Sequence, residues 1–189
     1  MMRGNVMSSL RRMMALAGCA LLVACSTPAP PYQPTVDNAR ALGSMPNTKL
    51  ALGSFTTSDP SMNTLGIRAS SFYSPVGSSF ADYLKDALQS ELVSAGKFNT
   101  GSNIVVGGEM TENKLDAAIG TGTAHIGVRF NVMRDGKKVF DKVVTADREW
   151  DSSFIGAVAI PAARTGYIAT IKDEIAHLLA DQDFQNALR

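Results

Sequence analysis

Beyond residue 25 the chain contains no cysteine: both of its cysteines, Cys19 and Cys25, precede that point in a sequence of 189 residues. A domain built from the remainder has no disulfide, no Cys-ligated metal and no thiol nucleophile. Histidine is as scarce, with only His125 and His177. No His-x-x-x-His or Cys-x-x-Cys spacing is present, so no local pattern assembles the ligand set of a zinc centre. Both histidines read as surface or half-buried residues. Serine is plentiful, yet no Gly-x-Ser-x-Gly elbow occurs. Gly107-Gly108-Glu109 and Gly120-Thr121-Gly122-Thr123 lack the following Lys-Ser or Lys-Thr of a phosphate loop. Adjacent acids such as Asp173-Glu174 face different directions on a helix and do not form a general acid and base pair. Excess positive charge is missing too. Three of the 18 Lys and Arg lie before residue 25, which leaves 15 against 17 Asp and Glu, a formal charge of −2. That gives no electrostatic footprint for nucleic acid, and Lys137, Lys138 and Lys142 read as a solvated strand or turn.

A long apolar run is also absent. Met13 to Ala24 is only about half of the roughly 20 residues that a membrane-spanning helix needs. The basic start at Arg3, Arg11 and Arg12, this short apolar stretch and the small residues that close it have the form of a secretory signal peptide. Its last four residues, Leu22-Val23-Ala24-Cys25, resemble the lipobox of bacterial lipoproteins. The resemblance implies lipidation of Cys25 as the mature N-terminus, and Ser26 after it implies sorting to the outer membrane. An overlapping run, Leu16-Ala17-Gly18-Cys19, is the alternative. It would leave an apolar region shorter than the roughly 7 to 15 residues usual in signal peptides. Ser26 to Asn47 is rich in proline (Pro28, Pro30, Pro31, Pro34, Pro46) and low in apolar residues, which predicts a disordered tether. The expected organisation is therefore a signal peptide over 1–24, the lipidated Cys25 and tether over 25–47, and one domain over 48–189.

Within that domain Leu50 to Phe55 alternates as a short strand, Thr56 to Asn63 reads as a loop, and Leu65 to Ala69 suggests a second short strand. Ser79-Phe80-Ala81-Asp82 has the form of a capping box. After it, Phe80, Leu84, Ala87, Leu88, Leu92 and Ala95 make one apolar helical face that Gly96 ends. Ile104-Val105-Val106 opens a strand in which Gly107-Gly108 marks a bulge or a close backbone approach. Ala124, Ile126, Val128, Phe130 and Val132 alternate strictly, and Asp135-Gly136 signals a hairpin. A two-residue turn there pairs Val132 with Val139 and Val128 with Val143. A three-residue loop pairs Phe130 with Phe140 and Ile126 with Val144. A last helix over about Ala162 to Ala180 carries Ile168, Ile171, Ile175, Leu178 and Leu179. The order predicts an α+β fold: a small, mainly antiparallel sheet of about four strands covered by two amphipathic helices.

One segment does not fit an ordinary connection. Trp150 to Ala163 is unusually apolar, and reads either as a loop packed on the core, with Pro161 in the first turn of the helix, or as an exposed contact site. Trp150, Phe154 and Ile155 are its candidate partner-contact residues.

The lipobox with Cys25, the helix ending Ser94-Ala95-Gly96, the strands around Val128 to Val143 and the tail Ile171-Lys172-Asp173-Glu174-Ile175-Ala176 to Phe184 together resemble the YajG-like envelope lipoproteins. That resemblance implies no catalytic residues and no cofactor. The resulting expectation is a non-enzymatic binding or scaffolding lipoprotein, held through its lipid anchor on the periplasmic side of the outer membrane, with an envelope protein as partner. The alternative is a lipid- or substrate-binding accessory subunit of an envelope transporter or outer-membrane assembly system.

Overall fold

A computed structural model of the chain describes residues 26–189. Cys19, Cys25 and the signal segment lie outside the described residues. The fold is α+β, with two sheets. Strands β2 (Ala51–Thr57), β5 (Ile104–Asp116), β6 (Gly120–Arg134) and β7 (Lys137–Ser152) form the larger one, in that order across the sheet. β2 runs parallel to β5, and the other two pairings are antiparallel. The smaller sheet has β1 (Ser26–Pro28) beside β4 (Ser70–Tyr73) and β3 (Thr64–Ile67) on β4's other edge. Helices α2 (Phe80–Ser94) and α3 (Gly156–Ala180) cover one face of the larger sheet, α3 over β6 and β7 and α2 against β2. Helix α1 (Val36–Ser44) packs on both, and α4 (Gln182–Ala187) folds back under β7.

The alternation read in β6 places Ala124, Ile126, Val128, Phe130 and Val132 on the helix-facing side, all buried. The opposite face carries His125, Arg129, Asp141 and Asp147 and is open. Between the sheets lies an aromatic knot. Tyr167 of α3 meets the Phe80 ring at 5.0 Å and the Phe72 ring at 5.3 Å, in edge contacts of the kind aromatic quadrupoles favour. The Ser79 cap forms, with its Oγ accepting from the Asp82 amide, but the Ser79 amide donates to the Val76 carbonyl and not to the Asp82 carboxylate, so the box is only half made. Gly96, at φ +64°, closes α2 while the Lys97 amide bonds back to the Leu92 carbonyl.

The β6–β7 register follows neither expected alternative. Asp135 and Gly136, both at positive φ, make a two-residue turn that pairs Arg134 with Lys137. A bulge one step later, at Val139, then shifts the pairing, so Val132 faces Phe140 and Val128 faces Val144. The shift buries Phe140 and Val144 and leaves Val139 and Val143 exposed, which one residue of slip in either direction would reverse. Gly108 is a close approach: a Cβ there would fall 2.8 Å from the Phe55 ring. The bulge in β5 lies further on, between Met110 and Glu112.

The proline-rich segment is not a disordered tether. Ser26 to Pro28 pairs with β4, Val36 to Ser44 is helical, and Ala29, Tyr32, Leu42 and Met45 are buried in the core. The anchor point is Glu91, fully buried near the end of α2. Its Oε1 accepts from the Tyr32 hydroxyl at 2.7 Å, the Thr35 amide at 3.0 Å and the Asn38 amide group at 3.0 Å. Lys97, also buried, donates to the Pro46 carbonyl at 2.7 Å. Four sparse apolar side chains and two buried charges thus dock a segment whose composition suppresses regular structure.

Candidate functional site

The segment Trp150 to Ala163 divides in two. Trp150 ends as a wedge between β6 and α3, packed against Gly122 and Gly166, where a Cβ on either glycine would overlap the indole. Its Nε1 is buried without a partner. Trp150 is therefore half-buried, whereas its two proposed companions are exposed. Helix α3 begins earlier than expected, at Gly156, because β7 runs on to Ser152 and Ile155 caps the helix directly. Pro161 thus falls inside the helix and not in its first turn. Phe154 and Ile155 stand out in solvent, 74 % and 48 % exposed, with Val158 one turn on at 55 %.

Topology brings a further apolar residue to them. Gly120, the first residue of β6, pairs with Ser152, so Ile119, 70 % exposed, lies at the strand end that leads into Phe154. The β3–β4 turn closes the same end: Arg68 donates to the Ser153 carbonyl at 2.8 Å. Ser26 is paired with Ser71, next to that turn. The start of the described chain and the exposed apolar group therefore share one end of the molecule.

Each of the two histidines contacts a neighbouring strand. Nδ1 of His125 lies 2.6 Å from Asp147, across the β6–β7 pair, with Glu112 at 3.5 Å on its other nitrogen. His177 Nδ1 bonds the Thr145 carbonyl at 2.8 Å and ties α3 to β7. Among the hydrogen bonds of the described residues neither histidine meets a serine. No group of three or more His, Cys, Asp or Glu able to hold a metal occurs among the described residues. On the open sheet face Arg129 and Lys138 flank Asp141, holding its carboxyl down at about 2. This is an exposed ion cluster and lines a small polar cleft with Glu109 and Asn131.

Two features had no signal in the sequence. Glu174 is fully buried, and neither carboxyl oxygen finds a hydrogen-bond partner. Burial, with the nearby Asp147 charge adding to it, pushes its pKa up to about 8, so the group is held protonated at neutral pH. The other is a groove of about 510 Å³ where the docked proline segment runs beside α3. Pro30, Pro31, Pro161 and Ile168 form its apolar lining, and Arg164 and Lys172 add positive charge. It exists only because residues 26–47 fold onto the helix. Arg164 itself secures that segment, donating to the Pro28 carbonyl at 3.2 Å.

No known family matches the sequence, and no curated protein resembles it closely enough to count as a relative. Solved structures do. The crystal structure of protein XCC0632 from Xanthomonas campestris, of family DUF330, superposes with a TM-score of 0.55 at 13 % identity, covering 82 % of this chain and 94 % of that one. A Caulobacter crescentus protein described as a lipoprotein gives 0.46 at 12 % identity over 79 % and 95 % of the two chains. A minor lipoprotein from Acinetobacter baumannii gives 0.44 at 10 % identity over 75 % and 95 %. What the XCC0632 likeness shows is the fold: the chain shares its α+β architecture over most of both lengths.

Proposed function

We propose that this chain is a lipid-anchored envelope lipoprotein, of the kind the YajG-like resemblance implies, which works by binding and not by catalysis. One observation carries the reading. The lipobox-like run ends at Cys25, and the residues that follow it at once, Ser26 to Pro28, are already paired with β4 in the smaller sheet, so an anchor at Cys25 would join the fold directly. In this reading Cys25 attaches the protein to the periplasmic side of the outer membrane. The open sheet face, with Val143 exposed among charged neighbours, is what an envelope protein would meet.

The test is the intact mass of the mature protein, purified from a Gram-negative host after export. A mass for residues 25–189 plus diacylglycerol and one acyl chain is expected, and Cys25→Ser should lose both the lipid and membrane fractionation. An unmodified or uncleaved N-terminus would end the reading. For the binding role, a photocrosslinker placed in cells at Val143 should capture a discrete envelope protein. A second reading, a lipid- or substrate-binding accessory subunit, is favoured by the groove beside α3. Its apolar lining flanked by Arg164 and Lys172 suits an amphiphile with an acidic head. Native mass spectrometry would then find such a molecule bound, with Arg164→Glu reducing its occupancy.

A further inference from the structure

We infer that the exposed apolar end of the domain, formed by Ile119, Phe154, Ile155 and Val158, sits in the surface of the lipid bilayer that carries the anchor. This rests on the lipoprotein reading above and adds to it a second, non-covalent membrane contact with a defined orientation.

Ser26 is already paired with Ser71, and Ala29 is already buried. Cys25 lies four positions before Ala29, and four residues span at most about 14 Å even when fully extended. A lipid on Cys25 therefore holds this end of the molecule against the bilayer, with no free tether to lift it. The end so held is where Phe154 and Ile119 project, because the Arg68 turn, the Ser152 end of β7 and the Gly120 end of β6 all meet there.

The start of α3 points the same way. The other helices begin on a side-chain acceptor: Thr35 for α1, Ser79 for α2 and Asp181 for α4. The 25-residue α3, the longest of them, begins on Ile155 with no side-chain cap. Its opening residues, Phe154-Ile155-Gly156-Ala157-Val158, are apolar or small and carry no charge. A helix start facing water ordinarily uses a polar cap. One lying at a lipid interface can leave its first amides to headgroup oxygens while the side chains enter the acyl boundary, about 5–10 Å deep. Asp151 and Arg68 stand at the rim, where the charges remain in the headgroup layer. With this end on the bilayer, the strands of the larger sheet lead away from it, and the Asp135-Gly136 turn becomes the far tip of the molecule.

The absence of cysteine beyond residue 25 supplies a clean test. Phe154→Cys and, at the opposite end of the sheet, Val139→Cys are each labelled with a nitroxide in the full-length lipidated protein. The labelled proteins are reconstituted in phosphatidylethanolamine–phosphatidylglycerol vesicles, after intact mass has confirmed the lipid and circular dichroism the fold. The label at 154 should collide preferentially with oxygen, which concentrates in lipid, and the label at 139 with a water-soluble nickel chelate. Adding Ile155→Asp with Val158→Asp should shift the 154 label toward the nickel-accessible value. A nickel-accessible label at 154 on lipidated protein overturns the proposal and leaves the lipoprotein reading intact. So does spin–spin broadening at 154 that grows with protein density, which would mean that a second copy covers the patch. If Cys25 carries no lipid, the lipoprotein reading and this inference fall together.

Discussion

The two ends of the larger sheet are built from opposite kinds of residue. At the hairpin end, Asp135 accepts from Asn103 at 2.7 Å, Arg134 reaches the Ala187 carbonyl at 2.6 Å, and Lys142 bridges Asp181 and Asp183 at 2.6 and 3.0 Å. These groups are polar, partnered and at ease in water. At the other end Ile119, Phe154, Ile155 and Val158 are exposed beside Asp151 and Arg68, and the polar bonds there, such as that from Arg68 to Ser153, close the fold without covering them. Ser26, paired with Ser71, lies at the apolar end, as the proposed anchoring through Cys25 requires.

Changes graded along this axis separate what holds the fold from what faces outward. The largest loss is expected at Trp150→Ala, which empties the wedge between Gly122 and Gly166 just behind the apolar end. Trp150 is half-buried, so its loss should cost about 3 kcal/mol, the lower end for a large aromatic, read as a lower midpoint in urea with an unchanged slope. Next comes Glu174, between the ends on α3. Its pKa in the folded state, about 8, lies above the ordinary 4.5, so the folded protein binds the proton more tightly than the unfolded chain. The stability this proton gives is complete below about pH 4.5 and is lost as pH rises through 8. Glu174→Gln should flatten that decline, with a gain on the order of 3 kcal/mol over the parent by pH 7 and more at pH 9. Denaturation at pH 5, 7 and 9 measures it, and parallel curves for the two proteins would contradict it.

At the hairpin end, Gly136→Val places a β-branched side chain at φ +77°, a strain of about 1–2 kcal/mol that thermal unfolding would register. Tyr32→Phe removes one bond to Glu91 and should cost about 1 kcal/mol. Its distinctive sign is faster proteolytic cutting between residues 26 and 47, with the sheet left intact. The smallest change in stability is expected at Phe154→Asp, within about 0.5 kcal/mol as for other surface sites. A large effect there would mean that the apolar end is part of the core after all.

Much of the architecture was legible in the residues. The strict alternation of β6, the Asp135-Gly136 turn and the apolar face from Phe80 to Leu92 each depend on neighbours in the chain, and each element forms where its pattern lies. The hairpin register was not legible, because the bulge at Val139 is chosen by what Phe140 and Val144 meet beneath α3. The N-terminal segment misled for a related reason. Composition counts prolines, whereas docking depends on a few side chains meeting Glu91 and Lys97 from elsewhere. In the candidate site, the apolar character of residues 150–163 was plain. Its division into a half-buried Trp150 and an exposed Phe154 was not, since that follows from two distant glycines, Gly122 and Gly166, opening a slot for one ring and not the other.

The sequence by itself determined the kind of secondary structure, the charge balance, the thiol-free domain and the place of Cys25, all of which are set by residue type and local spacing. Only the tertiary structure decided that the proline segment belongs to the core, that Glu174 is kept protonated, and that Ser26 and the exposed apolar residues share one end. Those outcomes depend on which distant side chains meet, and contact across the fold is fixed by packing, not by order along the chain.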